Sequence, residues 1–154
     1  MRSFLVVFFI FVSNYSFSQS QTQIKQLLNE VSLVKNSKDI IKSKEAKKLI
    51  SYGKPILLSL AFNFTDDTNT NVISECQERT LTKGEIAMII ADHIDRMPYA
   101  TLTGVQNCTI TFCENNPNFI EYYFSWLKEY PEKIIFRNKY ITHIGGGFPV
   151  NNKF

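Results

Sequence analysis

The chain has no Cys-x-x-Cys pair, no block of five like charges and, beyond its first eighteen residues, no apolar run long enough to span a bilayer. Six glycines and five prolines in 154 residues exclude collagen-like and low-complexity chains, and three cysteines are too few for a disulfide-dense miniprotein. Only two histidines, His93 and His143, are available for metal or acid–base chemistry. The phosphate-loop and calcium-loop patterns are missing as well. Gly145-Gly146-Gly147 is not followed by Lys-Ser or Lys-Thr, and Asp66-Asp67 lacks the spaced ligands and terminal Glu of an EF-hand. Asp92, His93 and Asp95 project at different angles around a helix and do not converge on one ion. No cofactor or metal is therefore expected. With 44% hydrophobic and 20% charged residues, what remains has the balance of one ordinary globular domain.

The N-terminus carries the strongest positive signal. Arg2 supplies a basic start, Phe4 to Val12 is an unbroken apolar run, and Ser16-Phe17-Ser18 sets small residues before Gln19. That order is the grammar of a cleaved secretory signal over residues 1–18. Nine helical residues reach roughly 13 Å, less than half the ~30 Å hydrocarbon layer, so no stable span is expected once the leader is removed. The reading is an exported protein, periplasmic or secreted, with one helical domain over 19–144 and a loose tail over 145–154.

Charge alternates along the remaining chain. Residues 19–54 carry eight lysines against Glu30, Asp39 and Glu45, whereas residues 55–127 carry nine acids against Arg79, Lys83 and Arg96. Six central acids, Asp66, Asp67, Glu75, Glu78, Asp92 and Asp95, form a candidate interaction surface for a basic protein partner. Nucleic acid is not an expected partner, because the basic segment has Tyr52 as its only aromatic residue and no reading motif.

Helical periodicity dominates. Ile24, Leu27, Leu28, Val31 and Val34 mark a helix from about Thr22 to Lys35. Ile40, Ile41, Ala46, Leu49 and Ile50 mark a second, ending at Gly53, and Pro55 opens a third through Phe64. Apolar nearly all round, Ile56 to Phe62 is expected in the middle of the fold. Thr82 with Glu85 is a capping box ahead of Ile86, Ile89, Ile90 and Ile94, a helix that Gly84 should weaken slightly. Asn116-Pro117 starts another helix that finishes before Pro131. Residues 99–115 fit a helix or irregular turn slightly better than a strand. Lys133 to Ile144 reads as a short β-hairpin around Asn138-Lys139.

Glu45-Ala46-Lys47-Lys48-Leu49-Ile50, Tyr52-Gly53-Lys54-Pro55, Ile56-Leu57-Leu58-Ser59-Leu60 and Asp66-Asp67 together resemble one HEAT-type repeat over roughly residues 43–73. The resemblance implies a mostly α fold of antiparallel helix pairs. In such repeats the alanine permits close helix approach, the glycine turns the chain and the aspartate caps the next element. Stacked pairs of this kind often present a groove.

An exported chain with Cys76, Cys108 and Cys113 can form one disulfide. Five residues span about 16 Å as strand and about 8.6 Å as helix, whereas a bridge needs Cα atoms within roughly 7 Å. Cys108 with Cys113 therefore requires a turn, and Cys76 with either is favoured because the longer loop loses more unfolded-state entropy. The functional expectation is a non-catalytic domain acting by protein binding, of inhibitor or immunity type. Its rival is a small cysteine hydrolase using one free cysteine with His93 or His143. Asn63-Phe64-Thr65 and Asn107-Cys108-Thr109 are formal glycosylation sequons that matter only in a eukaryotic secretory route.

Overall fold

A computed structural model describes residues 21–105 and 116–146. The expected leader, the segment holding Cys108 and Cys113, and the chain beyond Gly146 lie outside the described residues.

The protein is mostly helical, with one small antiparallel sheet. Helix α1 occupies residues 21–31 and buries Ile24, Leu27, Leu28 and Val31, the stripe its spacing predicts. It stops short of Lys35, because the chain turns after Ser32 and continues to a parallel bridge between Asn36 and Ile73. The second predicted helix divides at Ser43, whose extended backbone ends a 3-10 turn, Ser37–Lys42, and whose side chain caps α2, Lys44–Ser51, by accepting the Ala46 N–H at 3.1 Å. Gly53 then adopts φ +66°, ψ −157°, a conformation open essentially to glycine alone, and the 3-10 turn Lys54–Ile56 runs into α3, Leu57–Ala61. Strands β1, Asn69–Ile73, and β2, Thr80–Thr82, pair antiparallel.

Helix α4, Lys83–Ile94, is the centre of the molecule. Gly84 through Asp92 are all buried, and α2, α3, β2 and the 3-10 segment Phe119–Trp126 all pack against it. Its capping box forms as the sequence implies: Glu85 N–H donates to Thr82 Oγ1 at 3.3 Å and Thr82 N–H to Glu85 Oε2 at 2.8 Å. Gly84 is not a weak point. A Cβ there would lie 2.4 Å from the Phe64 carbonyl oxygen, so glycine alone lets the α3 turn sit against the start of α4. Central place thus belongs to α4 rather than to Ile56–Phe62. Helix α3 buries Leu57, Leu60 and Ala61 but leaves Leu58 38% exposed, and Phe62, just past its end, is 52% exposed. Helices α2 and α3 have α4, not each other, as their main partner.

After the short helix α5, Tyr99–Thr103, and the 3-10 segment, the chain ends its described part in α6, Tyr130–Ile144. This corrects the expected hairpin. Pro131 sits in the first turn of α6, where a missing N–H costs nothing, and Glu129 with Glu132 forms a capping box. Lys133, Phe136 and Tyr140 then recur at spacings of three and four and face inward, with both rings against Phe64. Helix α6 therefore closes over α3. Among the described residues no helix is long and apolar enough to cross a membrane.

Candidate functional site

Three regions concentrate chemistry. The first is a buried polar hub at the β1–β2 loop. Glu121, with no exposed surface, lies in the otherwise apolar and aromatic 3-10 segment and accepts hydrogen bonds from Ser37 Oγ at 2.9 Å, Ser74 Oγ, Asn116 Nδ2 at 2.6 Å and the Cys76 N–H at 3.3 Å. Ser74 Oγ also accepts the Cys76 and Gln77 N–H groups, and Gln77 Nε2 donates to the Glu121 carbonyl. Asn118 Nδ2 donates to the Ser37 carbonyl, and its Oδ1 lies 3.0 Å from His93 Nε2. The carboxylate is held by donors rather than by a paired cation, and such a fully satisfied network rigidifies a fold.

The hub fixes where Cys76 and His93 can act. Asn116 Nδ2 approaches the Cys76 sulfur at 3.3 Å, and the His93 imidazole is engaged by Asn118. No hydrogen bond joins Cys76 to His93 among the described residues. Nearby, Arg79 forms a two-pronged ion pair with buried Glu85, at 2.5 and 2.9 Å, which raises the arginine pKa further. Glu85 thus both caps α4 and anchors the loop.

The second region is an aromatic and arginine surface. Tyr99 stacks on Tyr123 with centroids 4.9 Å apart, Phe119 lies 4.9 Å from Tyr99, and Trp126 lies 5.5 Å from Tyr122. The Arg96 guanidinium lies 5.9 Å from the Phe119 ring centroid and donates to the Tyr99 hydroxyl at 3.0 Å. Beneath it, buried Asp92 accepts the Tyr99 hydroxyl at 2.7 and 2.8 Å and the Met97 N–H at 2.9 Å. Burial first, then this contact with Asp92, pushes the Tyr99 phenol pKa up. Trp126 remains 37% exposed, and Arg96 and Tyr130 are exposed beside the covered rings in sequence.

The third region is a groove of about 560 Å³ where α3 meets the end of α6, walled by Leu57, Leu58, Ile141 and Ile144. Lys54 and Asp95 pair at 2.9 Å on its rim, and His143 lines it too.

The six candidate acids differ in setting. Asp92 is buried under Tyr99, and Asp95 pairs with Lys54. Asp67 neutralises the buried Lys133, and the Asp66 carboxylate accepts the Thr68 N–H at the turn before β1. Glu75 pairs with Lys38 at 3.2 Å, and Glu78 sits at the loop tip with φ +50°. Asp67, Glu75 and Glu78 remain exposed, and only Asp92 of the six is buried. What pattern reading missed is the aromatic surface. Its only trace is the run Phe119-Ile120-Glu121-Tyr122-Tyr123-Phe124-Ser125-Trp126, which has more rings than one buried face requires. Among the described residues, no group of three His, Cys, Asp or Glu side chains could hold a metal. No protein-family model, curated protein or solved structure matches the chain.

Proposed function

We propose that the chain is an exported, non-catalytic helical domain that acts by binding a protein partner, as an inhibitor or immunity protein does. The observation that carries the reading is the aromatic and arginine surface: Trp, Tyr and Arg dominate the energetics of protein interfaces. Here Trp126, Tyr122 and Arg96 stand on a base locked by Asp92 and by ring stacking, so little order has to be created on binding. The apolar signal at residues 1–18 supports export to a periplasmic or secreted location. The HEAT-type likeness of residues 43–73 belongs to the same proposal, supported by the fully buried Ala46 and the positive-φ turn at Gly53.

A bridge from Cys76 to Cys108 or Cys113 is part of this reading. In its favour, Asn116, three residues beyond Cys113, reaches the Cys76 sulfur. A bridged Cys76 would be lost as a nucleophile, which weighs against the hydrolase.

Affinity capture from an extracytoplasmic extract tests the proposal, with the wild type compared against Trp126→Ala/Arg96→Ala. A protein retained by the wild type and lost by the double variant is the expected result. Equal retention by both, or hydrolase activity abolished by Cys76→Ser, would overturn it.

A further inference from the structure

We propose that the pocket between α1 and the start of α4 binds a small aminodicarboxylate, a molecule with two carboxylates and one ammonium group. The pocket offers about 190 Å³ and is lined by Lys25, Leu28, Asn29, Asn63, Asp66 and Lys83. That is the liquid volume of roughly six waters, below the ~300 Å³ at which sites for drug-sized ligands begin, so only a small molecule fits. The pocket shares no residue with the aromatic surface and stands whether or not that surface binds a protein. Three segments build its walls. Lys25, Leu28 and Asn29 lie at spacings of three and four on one side of α1, Asn63 and Asp66 follow α3, and Lys83 opens α4. Backbone bonds fix the last three against one another. Asp66 N–H donates to the Asn63 carbonyl at 2.9 Å, Gly84 N–H to the Asp66 carbonyl at 2.9 Å and Lys83 N–H to the Thr68 carbonyl at 3.0 Å. The Asp66 carboxylate is held as well, accepting the Thr68 N–H at 3.0 Å. This wall is in place before a ligand arrives, which spares the cost of ordering it on binding.

The charges around this space are unspent. Among the described residues Lys25 and Lys83 form no ion pair, not even with Asp66, although all three line the same pocket. The space between them is therefore wide enough to hold a third body. Asn63 is only 6% exposed, and with its Nδ2 donating to the Ser59 carbonyl at 2.8 Å, its Oδ1 has no donor among the described residues. An acceptor so nearly buried calls for a hydrogen-bond donor. Two lysines and one aspartate give the pocket a net charge of +1, and an aminodicarboxylate carries the opposite charge. Its two carboxylates match the two ammonium groups, while its own ammonium matches the Asp66 carboxylate and the Asn63 Oδ1.

Isothermal titration calorimetry of the full chain tests the site, with L-glutamate and L-aspartate as probes and succinate as the dicarboxylate that lacks the ammonium. One of the two amino acids is expected to bind with a dissociation constant of about 1 mM or tighter. Lys25→Met/Lys83→Met should weaken that binding at least about tenfold. Both lysines reach solvent, so the double variant should melt within about 2 °C of the wild type. Asp66→Asn keeps an oxygen for the Thr68 N–H but removes the charge that meets the ammonium. It should weaken the amino acid at least about fivefold and leave succinate no weaker than before. Absence of binding by both amino acids at about 10 mM would contradict the proposal. Binding kept in full by the double lysine variant would do so too, as would succinate binding the wild type as tightly as the amino acids.

Discussion

The polar hub around Glu121 and the groove beside α3 sit on the same small fold and use opposite physics. At the hub a carboxylate without exposed surface is surrounded by donors from Ser37, Ser74, Asn116 and the Cys76 backbone, drawn from segments far apart in the chain. At the groove, leucine and isoleucine side chains line about 560 Å³ among the described residues, and Phe62, just past the end of α3, is half exposed. Polar groups at the hub serve architecture, while several large apolar side chains stay exposed. Of the central acids, only Glu85, Asp92 and Glu121 are buried and act as anchors of this kind.

The comparison is broken most directly at Glu121. Replacing it with alanine strands several buried donors and should lower stability by about 3 kcal/mol, read from the urea midpoint. A loss under about 1 kcal/mol would mean the hub is not a structural anchor. Next comes Gly84→Ala, whose new methyl meets the Phe64 carbonyl and should cost about 1–3 kcal/mol by the same assay, despite alanine's better helix propensity.

A third test uses pH. Burial raises the phenol pKa of both Tyr99 and Tyr140, reinforced by the Asp92 hydrogen bond at the first and by the charges of Asp95 and Asp92 at the second. Unfolded phenols ionise near pH 10 while the folded ones keep their protons, so the unfolded state binds fewer protons and stability falls as pH rises above about 10. Below that value both contributions are fully present. Tyr140→Phe should flatten the alkaline limb and, because its buried hydroxyl has no hydrogen-bond partner among the described residues, change neutral-pH stability by only about 1 kcal/mol or less, toward greater stability. A midpoint lowered by several kcal/mol would require a hidden partner for that hydroxyl.

The smallest effect belongs to the open side. Phe62→Ser should alter the melting midpoint by no more than about 0.5 kcal/mol in free-energy terms, because that ring is half in water. A larger loss would make the exposed face of α3 part of the core.

Much of this architecture is written in local pattern. The stripe from Ile24 to Val31 and the Thr82–Glu85 box need only neighbours three or four residues away, and both form. Pro131 misleads because proline ends one helix and opens another with equal ease; the Glu129–Glu132 box settles which, once paired. In Ile56–Phe62 an all-round apolar run has no period to reveal which side will be covered, so the exposure of Leu58 and Phe62 depends on α4 and α6. The hub was invisible for a different reason: Ser37 and Glu121 are 84 residues apart, and neither serine lies in a recognisable motif. Of the candidate site, only the density of rings near Tyr122 was present to be read.

Titration of a purified partner against the wild type and Trp126→Ala, with melting curves for both, gives the most direct test of the claim that the outer aromatic surface exists for binding. The account predicts affinity at least about tenfold weaker with the melting temperature moved by no more than about 2 °C. Unchanged affinity, or a melting temperature that collapses together with it, would contradict the claim.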